Sequence, residues 1–442
     1  MTPPKRLYVE TYGCQMNVAD TDLIFGLLDR EGYEATQTPD EADVILVNTC
    51  AIRDNAEQRV HGRVGELKRH KRPGGVLGVV GCMAQRLGRG LLDRASHVDL
   101  VVGPDGYRAL PELIHRAAAG ERAVDVEFKS WEHYEDVPAA RSQGAGAFVT
   151  VQRGCNYRCT FCIVPMTRGP ERSRTMSDIV REVEHLAANG VTEVTLLGQT
   201  VNSYHDGTND FADLLRAVAA VDGIRRLRFT SPHPNDFSRA VIAAMAQVPE
   251  VCEHVHLPLQ SGSSRVLKRM LRRYSREDYL ACVERLRDAI PGLAITTDII
   301  VGFPGETDED FLATERLVRQ VRFDDAFTFK YSLRDGTPAV KIKDRVPDAV
   351  AGERLEQIIR TVRAVARARN AGLVGTTHEV LVEKPARRGG LLQSRTRSNK
   401  VVLIEGPPEL VGTYQRVRLT GTTGATFTGL RTLLGRELAV IE

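Results

Sequence analysis

The chain has 442 residues, 42% apolar and 26% charged with 38 glycines, a length and composition that suit a soluble globular enzyme of about two to four domains. No stretch approaches the ~18 apolar residues of a membrane span, and Met1-Thr-Pro-Pro-Lys-Arg lacks the apolar core of a signal peptide, so neither membrane insertion nor secretion is expected and a cytoplasmic location is. The net charge of +3 is uneven: residues 351–442 carry fifteen Lys and Arg against eight Asp and Glu, so a basic tail suited to gripping a polyanion follows a mildly acidic body.

In the first 118 residues short β-type runs (7–11, 43–48, 76–81, 98–102) alternate with helical stretches (18–31, 53–70, 106–118), which predicts a parallel sheet with helices on its faces. Three cysteines sit just past strand ends: Cys14 in Tyr-Gly-Cys14-Gln-Met-Asn17, Cys50 in Asn48-Thr-Cys50-Ala-Ile-Arg, and Cys82 in Gly81-Cys82-Met-Ala-Gln. The carboxyl edge of an open α/β sheet is where ligands bind, so residues distant in sequence can converge there. The bland alternative is three ordinary buried cysteines. Their identical placement, with Gly13 and Gly81 permitting close backbone approach, favours a shared cluster with one iron left free.

Residues 121–143, with mixed charges, Trp131 and a Gly-Ala-Gly hinge just beyond, read as a linker. After an apolar run at 147–152 comes Cys155-Asn-Tyr-Arg-Cys159-Thr-Phe161-Cys162. Disulfides rarely persist in a reducing compartment, and a structural zinc site needs a fourth ligand that this triplet lacks. Three thiolates suit a [4Fe-4S] cubane with one iron open to an outside ligand. From there helices at 177–188, 211–220, 239–247, 276–289 and 308–320 alternate with strands at 191–197, 225–230, 253–257, 294–301 and 324–329, about six β/α repeats with the strand before the triplet. Polar loops at the strand ends carry Gln199 and Asn202, then Ser231 and His233, then Gln260, then Asp298. One such loop is better read as a capped turn, but four at one edge predict a pocket. His233, Cys252 and Cys282 are read as structural.

A helix at 354–369 puts Arg360, Arg363 and Arg367 on one face, equally suited to solvent and to RNA. Strands at 378–383, 400–404, 412–420, 427–430 and 437–441 then suggest a small barrel. Lys384, Arg387, Arg388, Arg395, Arg397 and Lys400, in or beside its first long connection, are the expected phosphate contacts.

These motifs carry resemblances. The C-x3-C-x2-C triplet with Phe161 before its last cysteine resembles the radical S-adenosylmethionine (SAM) superfamily, which implies that SAM chelates the open iron and is split by one electron to give a 5′-deoxyadenosyl radical. The Cys14, Cys50 and Cys82 motifs resemble the N-terminal domain of the methylthiotransferases, implying a second, auxiliary [4Fe-4S] cluster that carries sulfur. The basic tail resembles the TRAM domain, an RNA-binding β-barrel. The expected architecture is thus α/β throughout, with a parallel-sheet domain over 1–120, a linker over 121–143, a partial (β/α)6 radical-SAM barrel over 144–370 and a TRAM-like barrel over 371–442. Phe161, Gln199, Asn202, Ser231, Gln260 and Asp298 are the expected SAM-pocket residues.

Across nearly its whole length the sequence resembles the MiaB-type tRNA 2-methylthio-N6-dimethylallyladenosine synthases, implying methylthiolation at C2 of N6-dimethylallyladenosine, position 37 of tRNA. That C–H bond is not acidic enough for a side-chain base, which explains the need for a radical. The resemblance also implies an electron donor such as a flavodoxin or ferredoxin, sulfur and cluster delivery proteins, and a monomer. Sister families act on threonylcarbamoyladenosine in tRNA or on a ribosomal-protein aspartate. Two further classes, an electron-transfer protein and a plain RNA-binding protein, leave the open irons or the cysteine triplets unexplained. The departures from the usual pattern, Met166, Thr200 and Ser394, bear on substrate gripping rather than on the chemistry.

Overall fold

The computed structural model describes residues 4–51, 54–137, 144–387, 389–433 and 436–437. The apolar runs Val44–Thr49 and Val76–Gly81 are buried along their whole length, as strands covered on both faces must be. They are the centre of a six-stranded parallel sheet whose spatial order is Tyr33–Ala35, Lys5–Tyr12, Val44–Thr49, Val76–Gly81, Leu100–Val102 and Ala123–Asp125. Two hydrophobic clusters, one around Ile24, Leu46 and Tyr107 and the other around Val47, Val79 and Met83, fill its two faces. The edge strands Tyr33–Ala35 and Ala123–Asp125 add to the sequence expectation, because three residues are too few to show a period. The stretch expected to be a linker is therefore partly sheet, and its Tyr134 and Val137 pack into the same core. Residues 138–143 of that stretch lie outside the described residues.

Six parallel strands follow, Gly146–Thr150, Glu193–Leu197, Arg226–Phe229, His254–His256, Ala294–Val301 and Asp325–Lys330. They form two three-stranded sheets bridged at Leu227 and Val251 into one open barrel. The helices between them start where the sequence places a short polar side chain: Asp210, Ser238, Ser275 and Thr307 each accept a first-turn N–H. One large cluster, including Val149, Leu196, Leu227, Val255, Ile295 and Phe323, fills the space between strands and helices.

Helix Asp348–Ala371, six residues longer at its start than expected, crosses to the C-terminal barrel. There Thr377–Pro385, Leu392–Thr396, Val401–Ile404, Tyr414–Thr422 and Thr426–Leu433 close on themselves through pairing of the third with the fifth. Leu392–Thr396 replaces part of the expected basic connection. Its inward positions include Ser394 and Thr396, which give no apolar alternation, and Ser394 Oγ donates to the Val402 carbonyl at 2.8 Å. Of the expected strand at 437–441, residues 438–441 lie outside the described residues, and Arg436–Glu437 pairs with the end of Thr426–Leu433.

The small barrel plugs the amino-terminal end of the large one. Arg226, wholly buried, donates to the Arg395 carbonyl at 2.9 Å and to the Glu379 carbonyl and carboxylate at 3.0 Å each, and Arg228 donates to the carbonyls of Arg397 and Thr396. Arg226→Ala is expected to destabilise this junction by about 3 kcal/mol, because buried acceptors lose their donor. Urea unfolding followed at Trp131 and by circular dichroism checks it, and a change below about 0.5 kcal/mol, the scale of a surface substitution, contradicts it.

Candidate metal and cofactor site

The triplet hangs in a loop clamped at both ends. Residues Gln152–Arg153 pair antiparallel with Arg172–Ser173, and the Cys155 N–H donates to the Gly169 carbonyl at 3.2 Å. Gly154 has φ +77°, and a Cβ there would lie 1.9 Å from the Pro170 carbonyl oxygen, so only glycine closes the loop this tightly. Its N–H donates to the Gln199 side-chain oxygen. On the far side, Thr160 N–H donates to the Met270 carbonyl at 3.0 Å and accepts Ala339 N–H on its own carbonyl at 2.9 Å.

Cys155 Sγ lies 3.2 Å from Thr200 Oγ1, while Arg272, 7% exposed, brings Nη1 to 3.3 Å from Cys159 Sγ. Burial pushes the Cys162 thiol up to about 12, with the neighbouring Cys159 adding to the shift, and raises Cys155 as well. As free thiols these groups are held neutral, whereas a bound iron would take the place of the proton. The buried guanidinium at Cys159 suits a bound anion. No three of the described His, Cys, Asp and Glu side chains are close enough to hold one metal ion, but a cubane spreads its ligands over separate irons. The donor set therefore fits a cluster with three protein thiolates.

The second trio meets at the carboxyl edge of the N-terminal sheet. Cys14 caps helix Gln15–Asp29, Cys50 follows Val44–Thr49, and Cys82 opens helix Cys82–Leu87. Two asparagines from their own motifs lock the first two together. Asn17 donates to Asn48 Oδ1 at 3.0 Å and to the Thr49 carbonyl at 3.1 Å, and Asn48 returns a bond to the Asn17 carbonyl at 2.8 Å. A Cβ on Gly13 would lie 2.8 Å from that of Cys50, and one on Gly81 2.5 Å from Asn48 Oδ1. A hydrogen bond from Cys50 brings the Cys14 thiol down to about 6 against the opposing effect of burial, and nearby Arg168 assists. Burial raises Cys82, although Arg168 Nε sits 3.2 Å from its sulfur.

Arg168 lies six residues beyond Cys162, so one short segment connects the two trios. Ile163 in that segment packs on Ala51 and Cys82. The same arginine meets Asp20, wholly buried on helix Gln15–Asp29, at 2.6 Å, and Arg153 meets Asp20 at 3.1 Å. Burial works against ionised Asp20, but Arg168 and Arg153 hold its carboxyl below the usual range. Arg172 and Asp105 make a second buried pair between the domains at 2.9 Å. Sequence reasoning does not find Asp20, Arg153, Arg168 or Arg272 in these roles, because partners about a hundred residues or more apart leave no spacing signal.

The remaining expected pocket residues divide. Ser231 and Gln260 have positive φ, 59° and 68°, at the barrel's carboxyl rim, and Asp298 Oδ1 lies 3.3 Å from His256 Nε2. Phe161 meets Phe303 edge-on at 6.5 Å. Asn202 is buried with both amide ends used on the His233 backbone, at 2.9 and 2.7 Å, so here it fixes the loop bearing Ser231. His233 stacks on Tyr157 at 3.8 Å, and burial, aided by Arg272 and Arg273, brings its pKa down to about 2, leaving it neutral.

Among the six expected RNA contacts, Lys384 and Arg387 are exposed and Arg388 lies outside the described residues. The other three are engaged by protein. Arg395 pairs with Glu383 at 2.5 Å, Arg397 with Glu253 at 2.9 Å, and Lys400, 8% exposed, with Asp324 at 2.9 Å. Arg397 and Lys400 thereby join the small barrel to the large one, a use of charge that composition alone cannot distinguish from phosphate binding.

Comparison with known proteins agrees with this layout. Residues 149–318 match the radical SAM superfamily, 6–103 the uncharacterized protein family UPF0004, and 372–429 the TRAM domain. A tRNA-2-methylthio-N(6)-dimethylallyladenosine synthase of Caldicellulosiruptor saccharolyticus is 45% identical over 94% of this chain and 90% of its own length. One from Porphyromonas gingivalis is 46% identical over 96% and 94%. Among solved structures, the radical S-adenosylmethionine methyltransferase TsrM from Kitasatospora setae shares the fold, with TM-score 0.58 at 16% identity over 76% of this chain and 77% of that one. The radical enzyme OxsB does so at TM-score 0.53 and 12% identity, over 82% and 58%. No helix among the described residues is long and apolar enough to cross a membrane.

Proposed function

The chain belongs to the family of tRNA-2-methylthio-N(6)-dimethylallyladenosine synthases, and from that premise we propose that it replaces the C2 hydrogen of N6-dimethylallyladenosine at tRNA position 37 with a methylthio group. The observation that carries the reading is the pair of cysteine trios at facing domain edges, joined through the segment from Ile163 to Arg168. Cys155, Cys159 and Cys162 would hold one cluster, which would supply the electron for splitting SAM, and Cys14, Cys50 and Cys82 would hold a second, which would supply sulfur.

The chain's own residues set the conditions. Arg272 and Arg168 hold positive charge against the two sets of thiolates in sites from which water is largely excluded, where charge acts over short range with little screening. Ile163, Ala51 and Phe161 supply apolar walls. Ser231, Gln260 and Asp298 lie on the rim where SAM would be held, with Gln199 and Asn202 fixing the loops beneath. The basic C-terminal barrel would grip tRNA. A flavodoxin or ferredoxin as reductant, sulfur and cluster delivery proteins, and a monomeric state complete the reading.

Nucleoside mass spectrometry of tRNA from cells lacking the protein tests it. The expected result is loss of the 2-methylthio nucleoside with accumulation of N6-dimethylallyladenosine. Unchanged 2-methylthio-N6-dimethylallyladenosine overturns the proposal, and loss of the threonylcarbamoyl counterpart instead reassigns the substrate.

A further inference from the structure

We infer that the seam between the two barrels binds one nucleotide of an RNA chain, its phosphate on Arg363 and Arg367 and its base on Phe327. The inference rests on the reading that the substrate is tRNA, and it locates a contact that the basic composition of the tail does not. A cavity of about 550 Å³ lies where helix Asp348–Ala371, strand Asp325–Lys330 and the small barrel meet. That volume is within the ~300–1,000 Å³ of sites that enclose small ligands.

Charge in the seam is arranged in two layers. In the inner layer Lys400 and Arg369 both pair with buried Asp324, and Arg395 is held by Glu383 and Asn399, so these cations are committed to the junction. In the outer layer Arg363 and Arg367, one turn apart on the helix, are exposed and have no ion-pair partner among the described residues. Asp325 is the exposed carboxylate opposite, so the cavity keeps a net positive lining. Arg363 and Arg367 both line the cavity and are neighbours on one helix face, so two charges rather than one are available to a phosphate there.

Two further features select a nucleotide over a bare anion. Phe327 is 58% exposed, touching His256 edge-on at 5.8 Å, so its ring can accept a stacked base. Asn370, 2% exposed and lining the cavity, donates to the Gly424 carbonyl at 2.7 Å but leaves its Oδ1 without a partner. A ribose hydroxyl or a base amino group is the donor that such an acceptor needs.

The test is binding of an anticodon stem-loop RNA to the anaerobically reconstituted full-length protein across a salt series. The double variant Arg363→Gln/Arg367→Gln is expected to bind about tenfold more weakly near physiological salt. Its log K against log salt should be shallower by about 0.7, the contribution of the one single-strand phosphate that is no longer neutralised. Phe327→Leu is expected to weaken binding about tenfold with the slope unchanged, because stacking is not ionic. An unchanged thermal midpoint separates these effects from misfolding. A double variant with wild-type affinity and slope overturns the inference, whereas wild-type protein that fails to bind the RNA overturns the tRNA reading beneath it.

Discussion

Cys159→Ala is expected to abolish reductive cleavage of SAM, with 5′-deoxyadenosine formation falling by about three orders of magnitude or more, since the substitution removes the thiolate that an iron corner requires. The consequence extends beyond the missing ligand. Arg272 is nine-tenths buried and points Nη1 at the Cys159 sulfur, so alanine leaves a guanidinium facing an apolar methyl group. Iron and sulfide should drop to about one cubane per chain, because Cys14, Cys50 and Cys82 stand on a different sheet edge. The complementary variant separates the two sites: Cys82→Ala should keep SAM cleavage and lose methylthio transfer. Liquid chromatography of the SAM products, alongside metal analysis, checks both. Full 5′-deoxyadenosine formation by Cys159→Ala contradicts the assignment of the triplet.

Much of this layout is legible in the sequence, for identifiable reasons. Runs such as Val44–Thr49 and Val76–Gly81 are apolar at nearly every position, a pattern that strands buried on both faces produce. Asp210, Ser238, Ser275 and Thr307 mark helix starts by a local side-chain bond that needs no tertiary partner. The two cysteine trios stand out in the sequence by a fixed spacing in one loop and by repeated placement at strand ends, and the structure puts Cys14, Cys50 and Cys82 at one sheet edge. What escapes depends on the rest of the fold. Tyr33–Ala35 and Ala123–Asp125 are strands only because a sheet edge lies beside them. Arg395, Arg397 and Lys400 look like phosphate ligands by composition, yet Glu383, Glu253 and Asp324 claim them, and Glu253 is 144 residues from Arg397. Arg363 and Arg367, which sequence leaves undecided between solvent and RNA, are cations without an ion-pair partner among the described residues of the seam.

Asp20→Ala is the substitution expected to uncouple the two halves of the reaction. Asp20 is wholly buried between Arg153 and Arg168, so removing it leaves two guanidiniums without their counter-charge, at a cost of about 3–5 kcal/mol. The loss falls on the contact between the N-terminal domain and the barrel, and on Arg168, which also holds Cys82. SAM cleavage, confined to the barrel, should persist while methylthio transfer falls by roughly 100-fold or more, since a displacement of about 1 Å suffices for such a loss. The stability effect has a definite pH sign. The folded carboxyl lies below its ordinary value, so its contribution is fully present above about pH 4 and is lost as pH falls through the folded pKa. The gap in unfolding free energy between wild type and Asp20→Ala should thus be constant from pH 8 to about 5 and narrow only in stronger acid. Urea titrations across that range, paired with assays of 5′-deoxyadenosine and of methylthiolated RNA, decide the matter. Equal losses in both assays would mean that Asp20 supports folding alone and does not set the approach of one cysteine trio to the other.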